Sequence, residues 1–200
     1  MDATVTIRHE SDASILESRQ WVDRSLEAVF PFFADPHNLE RITPAFLKFK
    51  VLSMDTPTIE SGTLLRYRLK LHGLPIHWTT RIKDWNPPHS FRDVQLSGPY
   101  RLWDHTHRFE RREGGTLMTD IVRFRTPFDI LRRTPLLSWI NRDVEAIFRY
   151  RQTVIETMLG LRWAVSAPHS DHRAGGLCHP TAATAATTGP VRAEAAPSCR

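Results

Sequence analysis

The sequence predicts an α+β chain: a curved antiparallel seven-stranded sheet wrapped around one long C-terminal helix, with two short helices after the first strand. Three observations carry this. Strand-like runs follow one another from Phe46 to Arg125, each closed by a turn signal such as "ESG", "HGLP", "NPPH", "SGP" or "REGG". A helical stripe follows, with Val144, Phe148, Arg151, Ile155 and Leu159 on one face. An antiparallel sheet facing a single apolar helical stripe can bury itself only by curling around that helix. A sheet curled in this way leaves a cavity at its open end.

The elements come in a readable order. "SILESRQWVDRS" alternates and predicts the first strand. "SLEAVFPFFADPHNLERIT" predicts the two short helices. Ser25 is placed to cap the first, and Asp35-Pro36 pairs a cap residue with proline at the first helical position of the second. Pro31 should shorten or bend the first helix. The remaining strands are expected at Phe46–Met54, Thr63–Leu71, Ile76–Trp85, Ser90–Leu96, Arg101–Glu110 and Thr116–Arg125. Asn141 or Asp143 could cap the final helix.

Three regions are expected: a loose N-terminus over 1–12, one folded domain over 13–166, and a disordered tail over 167–200. The tail is rich in Ala, Thr, Pro and Gly and has no aromatic residue after Trp163. Such a segment cannot bury enough surface to offset its ordering entropy. The chain has 200 residues, 40% of them hydrophobic and 24% charged, with a formal net charge of +5. This suits one globular domain. The arginines are scattered, which argues against a nucleic-acid arm. No apolar run is long enough to span a bilayer, and "MDATVTIRHESD" lacks a signal-peptide core, so a cytoplasmic location is expected. The two cysteines, Cys178 and Cys199, form neither a disulfide framework nor a zinc spacing. The oligomeric state is left open.

With that order in place, "WVDRSLEAVFPFFADPHNLERITPAFLKFKVL" and "GLPIHWTTRIKDWNPPHSFRDVQLSGPYRLWDHTHRFE" resemble the START-like helix-grip superfamily, also called SRPBCC or polyketide cyclase/dehydrase. The resemblance covers Ile15 to Trp163 and is nearest to bacterial ligand-binding proteins of unassigned ligand. It implies a deep, mostly apolar pocket between sheet and C-terminal helix. It does not imply one chemistry, because the superfamily spans lipid carriers, hormone receptors, cyclases and oxygenase domains. The Cys/His pairs of a Rieske-type oxygenase are missing from the sequence.

Candidate site residues come from register. Side chains of one sheet face occupy alternate positions, so hairpin turns can align the strands. Pairing Leu71 with Ile76, Asp84 with Phe91, Leu96 with Leu102 and Glu110 with Gly115 yields one inward face. It carries Tyr67, Trp78, Phe91, Asp93, Gln95, Trp103, His105, His107, Met118, Asp120 and Val122. Arginines and lysines fill the outer face. One inward row would read Ile82, Asp93, His105, Asp120. An imidazole between two carboxylates has its proton affinity raised and could move a proton on a bound carbonyl compound. His105, Asp120 and Asp93 are therefore the catalytic candidates. Tyr67, Trp78, Phe91, Gln95, Trp103, His107, Met118 and Val122 are the ligand-binding candidates, with Arg101 at the mouth. The structural alternative is that the buried polar groups satisfy one another.

His105-x-His107 on a strand could also reach one metal ion, but two histidines and one aspartate are a sparse set, so no metal and no cofactor are expected. The expected partner is a hydrophobic or amphipathic small molecule, with no nucleic acid and no membrane span. The rival reading is a cyclase or dehydratase with His105 as acid or base.

Overall fold

The computed structural model describes residues 3–126 and 135–160. In chain order these form β1 (Thr4–His9), β2 (Ser14–Val22), α1 (Leu26–Ala34), α2 (Asn38–Arg41), a 3-10 turn (Ala45–Leu47) and β3 (Lys50–Met54). They continue with β4 (Leu64–Leu71), β5 (Leu74–Asn86), β6 (Ser90–Ser97), β7 (Leu102–Arg112), β8 (Gly115–Arg125) and α3 (Pro135–Leu159). All strands join one antiparallel sheet in the order β1-β2-β8-β7-β6-β5-β4-β3. The sheet has eight strands rather than the expected seven.

The extra strand corrects the expectation of a loose N-terminus. Thr4–His9 pairs with β2 from Thr4↔Arg19 to His9↔Ser14. Its apolar signal is only Val5 and Ile7, too short to read from periodicity. What holds it is tertiary. Val5 packs with Leu16, Val122 and Phe148, and the buried Gln152 amide of α3 donates to Thr4 O and Ser18 Oγ, each at 2.9 Å. Gln20 Nε2 answers by donating to Gln152 O at 2.8 Å. Buried amides need such partners, so β1 completes a polar junction as well as a sheet edge.

Local chemistry explains the remaining boundaries. Ser25 occupies the N-cap position of α1 with extended backbone but makes no side-chain cap bond. Asp35 Oδ1 accepts from His37 N at 2.9 Å, which turns the chain between α1 and α2. β3 begins later than expected because Pro44 opens a 3-10 turn and Lys48 adopts φ 44. α3 starts at Pro135, so Asn141 and Asp143 lie inside the helix rather than capping it. Asp143 instead accepts from His72 Nε2 at 2.8 Å, tying the β4–β5 hairpin to α3. The predicted tail, 167–200, lies outside the described residues.

Two hairpins are tighter than the sequence suggests. His72 (φ 50) and Gly73 (φ 84) make a two-residue turn, so Leu71 pairs with Leu74 rather than Ile76. Glu113 and Gly114 (φ 77) make another, so Arg112 pairs with Gly115 and Glu110 pairs with Leu117. Consecutive positive φ values, as at His72 and Gly73, suit the twist of a two-residue hairpin. Each difference moves the register by an even number of residues. The faces are therefore kept while cross-strand neighbours change. Arg66, Arg68, Lys70, Arg81, Lys83 and Arg108 all lie exposed on the outer face.

The core has two parts. One gathers Phe30 of α1 with Ile82, Phe91, Phe109 and Ile155. The other gathers Leu16, Val122 and Phe124 beneath Val144 and Phe148 of α3. Fully burying each such side chain contributes about 1.5–3 kcal/mol before entropy is counted. Among the described residues no helix is long and apolar enough to cross a membrane.

Candidate functional site

Between these two parts of the core lies a cavity of about 170 Å³. α1, α2 and the 3-10 turn, with the residues that link them, supply Phe32, Phe33, Leu39, Ile42 and Leu47 at one end. The sheet supplies Tyr67, Trp78, Thr80, Phe91, Asp93, Trp103, His105 and His107. α3 closes it with Val144, Ile147, Phe148 and Arg151. The lining is mostly apolar and aromatic; Asp93, His105, His107 and Arg151 converge in it from β6, β7 and α3, and Asp35 stands at its α1 end. This is the usual composition of a small-molecule pocket: broad apolar walls with a few placed polar groups.

The polar cluster has an ordered geometry. Asp93 pairs with His105 and Phe91 with His107 across β6 and β7, as the register predicts. Across β7 and β8, however, His107 faces Asp120, and His105 faces Val122. The single row Ile82–Asp93–His105–Asp120 is thus corrected: the β7–β8 turn is two residues shorter than expected, which places Asp120 one inward pair further along. The result is a closed four-membered arrangement. His105 Nε2 lies 3.0 Å from Asp120 Oδ1 and its Nδ1 3.4 Å from Asp93 Oδ2. His107 Nε2 lies 3.1 Å from Asp93 Oδ2 and its Nδ1 2.8 Å from Asp120 Oδ1. The last contact is close but poorly aligned, and Nδ1 makes no hydrogen bond. The two rings face each other with centroids 3.8 Å apart. Phe91 stacks on His107 at 4.2 Å, and Phe148 and His105 meet in a T-shaped contact at 5.5 Å.

This enclosure splits the two histidines. Burial and the neighbouring His107 push His105 below the ordinary imidazole value, and the carboxylates only partly offset them. Burial also pushes His107 down, but Asp120 and Asp93 outweigh it and hold the ring above that value. Burial would raise Asp120, yet its interactions with both histidines bring it far below the usual carboxylate range. Asp93 shifts the same way, with burial opposed by the charges of His105 and His107. The histidines titrate as a coupled pair, one step on each side of the ordinary 6.5.

A pH dependence follows. Below 6.5 the unfolded chain binds the proton that folded His105 refuses, so stability falls as pH falls toward the folded value of His105. Above 6.5 folded His107 keeps a proton that the unfolded chain releases, so stability falls as pH rises toward its folded value. Stability should peak near pH 6.5, with limbs of at most about 1.4 kcal/mol per pH unit. Urea titrations from about pH 5 to about pH 8.5 would test it, and a profile that only rises or only falls would refute the split.

Asp93, His105 and His107 also each offer a donor atom, all within 4.8 Å of one another. These three are the residues that could hold a divalent cation with a taste for nitrogen and oxygen, such as zinc.

The sequence candidates divide by position. Tyr67, Trp78, Phe91, Asp93, Trp103, His105 and His107 line the cavity. Asp120 sits behind the histidine pair and is buried. Four candidates lie elsewhere. Gln95 Nε2 donates to Tyr100 O at 2.6 Å and so holds the β6–β7 turn. Arg101 is exposed at that turn. Met118 and Val122 are buried in the two parts of the core, behind the cavity wall. Inward parity alone cannot distinguish a wall residue from one packed beneath the wall.

Arg151 is a site residue to which the sequence alone assigns no role, although it stands on the inner stripe of α3. Its guanidinium lines the cavity 4.8 Å from the Phe148 ring centroid. Burial pushes it down, and the charges of Asp120, Asp93 and Tyr67 hold it up. Tyr67 is held protonated by burial and by the charge of Asp93. A long cation among apolar stripe positions is the signal that could have found it.

No family model matches the sequence, and no curated protein matches it. Solved structures do match in fold. Protein Ms6760 from Mycobacterium smegmatis is 17% identical, with a TM-score of 0.56 over 78% of this chain and 99% of that one. Ginseng major latex-like protein 151 from Panax ginseng is 12% identical, TM-score 0.55, over 74% and 97%. A START superfamily protein from Mycobacterium smegmatis is 11% identical, TM-score 0.53, over 72% and 98%. At these identities the likeness is one of architecture, and it agrees with the sheet, the short helices and the closing helix described above. The chain therefore has the START-like helix-grip fold.

Proposed function

We propose that this protein binds a hydrophobic or amphipathic small molecule in the cavity between the sheet and α3. One observation carries the reading: an apolar, aromatic-lined cavity of about 170 Å³ ends on a buried cluster of paired ionisable groups. Apolar walls supply affinity through the area removed from water. Asp93, His105 and His107 give the ligand's polar end a fixed orientation. The shared fold with a START superfamily protein supports a binding role at the level of architecture.

Native mass spectrometry of the purified chain, set against its denatured mass, tests this. An excess mass on the order of a hundred daltons, the size a cavity of about 170 Å³ admits, that vanishes on denaturation is expected. Ile147→Trp, which fills the cavity from a half-buried position on α3, should abolish it. Retention of the same excess by Ile147→Trp would place the ligand elsewhere and sink the proposal.

The paired histidines favour one second reading. A coupled pair that shares a proton near neutrality and lines a cavity can act as acid and base on a carbonyl substrate, as in a cyclase or dehydratase. Under that reading His105→Gln loses turnover while binding stays nearly unchanged. Under the first, the same change weakens binding.

A further inference from the structure

The cavity holds one cation whose charge is met only at a distance. Arg151 makes no ion pair and no hydrogen bond among the described residues, and its buried Nε has no acceptor. The nearest carboxylates do not supply one. Asp93 and Asp120 each lie against both imidazoles, within 3.4 Å in all four contacts. They reach Arg151 through Coulomb attraction alone. The Phe148 ring under the guanidinium offers a face at 4.8 Å but no lone pair in the plane of the N–H donors. An arginine carries five N–H donors in a rigid fork and stays charged in proteins. Leaving such donors unmet in an apolar cavity is costly. The fork matches the two oxygens of a carboxylate.

We propose that Arg151 is the anchor for a carboxylate head group, so that the ligand is an apolar chain or ring system bearing one acid. This rests on the binding reading above and narrows its ligand class. The guanidinium grips the carboxylate in the plane of its donors. The apolar remainder lies along the walls toward Phe32, Phe33 and Leu39 or toward Trp78. The Tyr67 hydroxyl, held protonated beside the same groups, is available as a further donor. The His–Asp arrangement stays paired and shapes the site beside the head group.

Octanoate and octanol, titrated calorimetrically into the full chain, separate the head group from the tail. Both share the same apolar chain, and its length suits the modest volume. The unchanged protein should bind octanoate about tenfold tighter than octanol, or better, as expected for charge-assisted bonds to a guanidinium that is half-buried and lines the cavity. In Arg151→Met, which keeps the apolar stem, octanoate should lose its advantage and bind no tighter than octanol. Equal binding of acid and alcohol by the unchanged protein overturns the anchor and leaves the binding reading standing. So does an acid preference that survives in Arg151→Met. Binding of neither compound overturns the binding reading and the anchor together. The first comparison needs no variant, so it decides the matter even if Arg151→Met fails to fold.

Discussion

Asp120→Asn should cost about 3 kcal/mol of stability, the largest loss expected from a change that keeps side-chain size. Asp120 Oδ1 is the point where both imidazoles meet, 3.0 Å from His105 Nε2 and 2.8 Å from His107 Nδ1. It is buried behind the cavity wall, so water cannot replace it. The amide keeps an acceptor oxygen but loses the charge that holds a proton on His107. Removing one partner of a buried pair leaves the other uncompensated, which is why such changes cost more than surface pairs. Two readouts should move together. The urea midpoint should drop, and the alkaline limb of the pH–stability profile should flatten, because His107 then titrates closer to its unfolded value. A loss below about 1 kcal/mol would mean that the four-membered arrangement contributes little to the fold. An unchanged alkaline limb would mean that Asp120 does not hold the proton.

Phe148→Ala should cost about 3–5 kcal/mol. Phe148 is 2% exposed and stands where the histidine pair, Arg151 and the core meet. It meets His105 in a T-shaped contact, its face carries Arg151, and its body packs with Leu16, Val122 and Phe124. Truncation removes the transfer free energy of the ring and leaves a void beside an existing cavity. Differential scanning calorimetry would measure it, against Trp139→Ala as the control. Trp139 lies on the same helix but is 43% exposed, so its truncation should cost much less. Equal losses would show that α3 is not held to the sheet through its inner stripe. The effect reaches beyond stability: without the ring the guanidinium loses its cation–π platform, and both the pocket floor and His105 lose their packing.

Much of the site is legible in the sequence because a strand's two faces depend on parity alone. The pairs Asp93–His105 and Phe91–His107 follow from the "SGP" turn, and the fold has both. The arginine-rich outer face follows from the same parity. Where the sequence suggests a longer hairpin, at His72-Gly73 and Glu113-Gly114, the difference is an even number of residues. The faces survive it and the neighbours do not. Thus both histidines fall in the interior as expected, while Asp120, expected opposite His105, stands opposite His107.

Turn geometry is not legible because it depends on backbone φ at single residues such as His72, which gives no pattern to read. β1 escapes notice because two apolar residues make no periodic signal, and what holds it lies far along the chain: Val122 and Phe148 pack on Val5, and Gln152 donates to Thr4 O. Gln95, Met118 and Val122 show the same limit. Parity says inward, but only packing says whether an inward side chain reaches the cavity, the turn or the core beneath. By itself the sequence determined the architecture, the inner and outer faces and the presence of histidines in the interior, because these follow from hydrophobic period. Only the tertiary structure decided that two imidazoles lie against the same two carboxylates and that an arginine enters beside them without a hydrogen-bonded partner among the described residues. Those facts depend on distances between β6, β7, β8 and α3, and no local pattern in the chain encodes distances between separate elements.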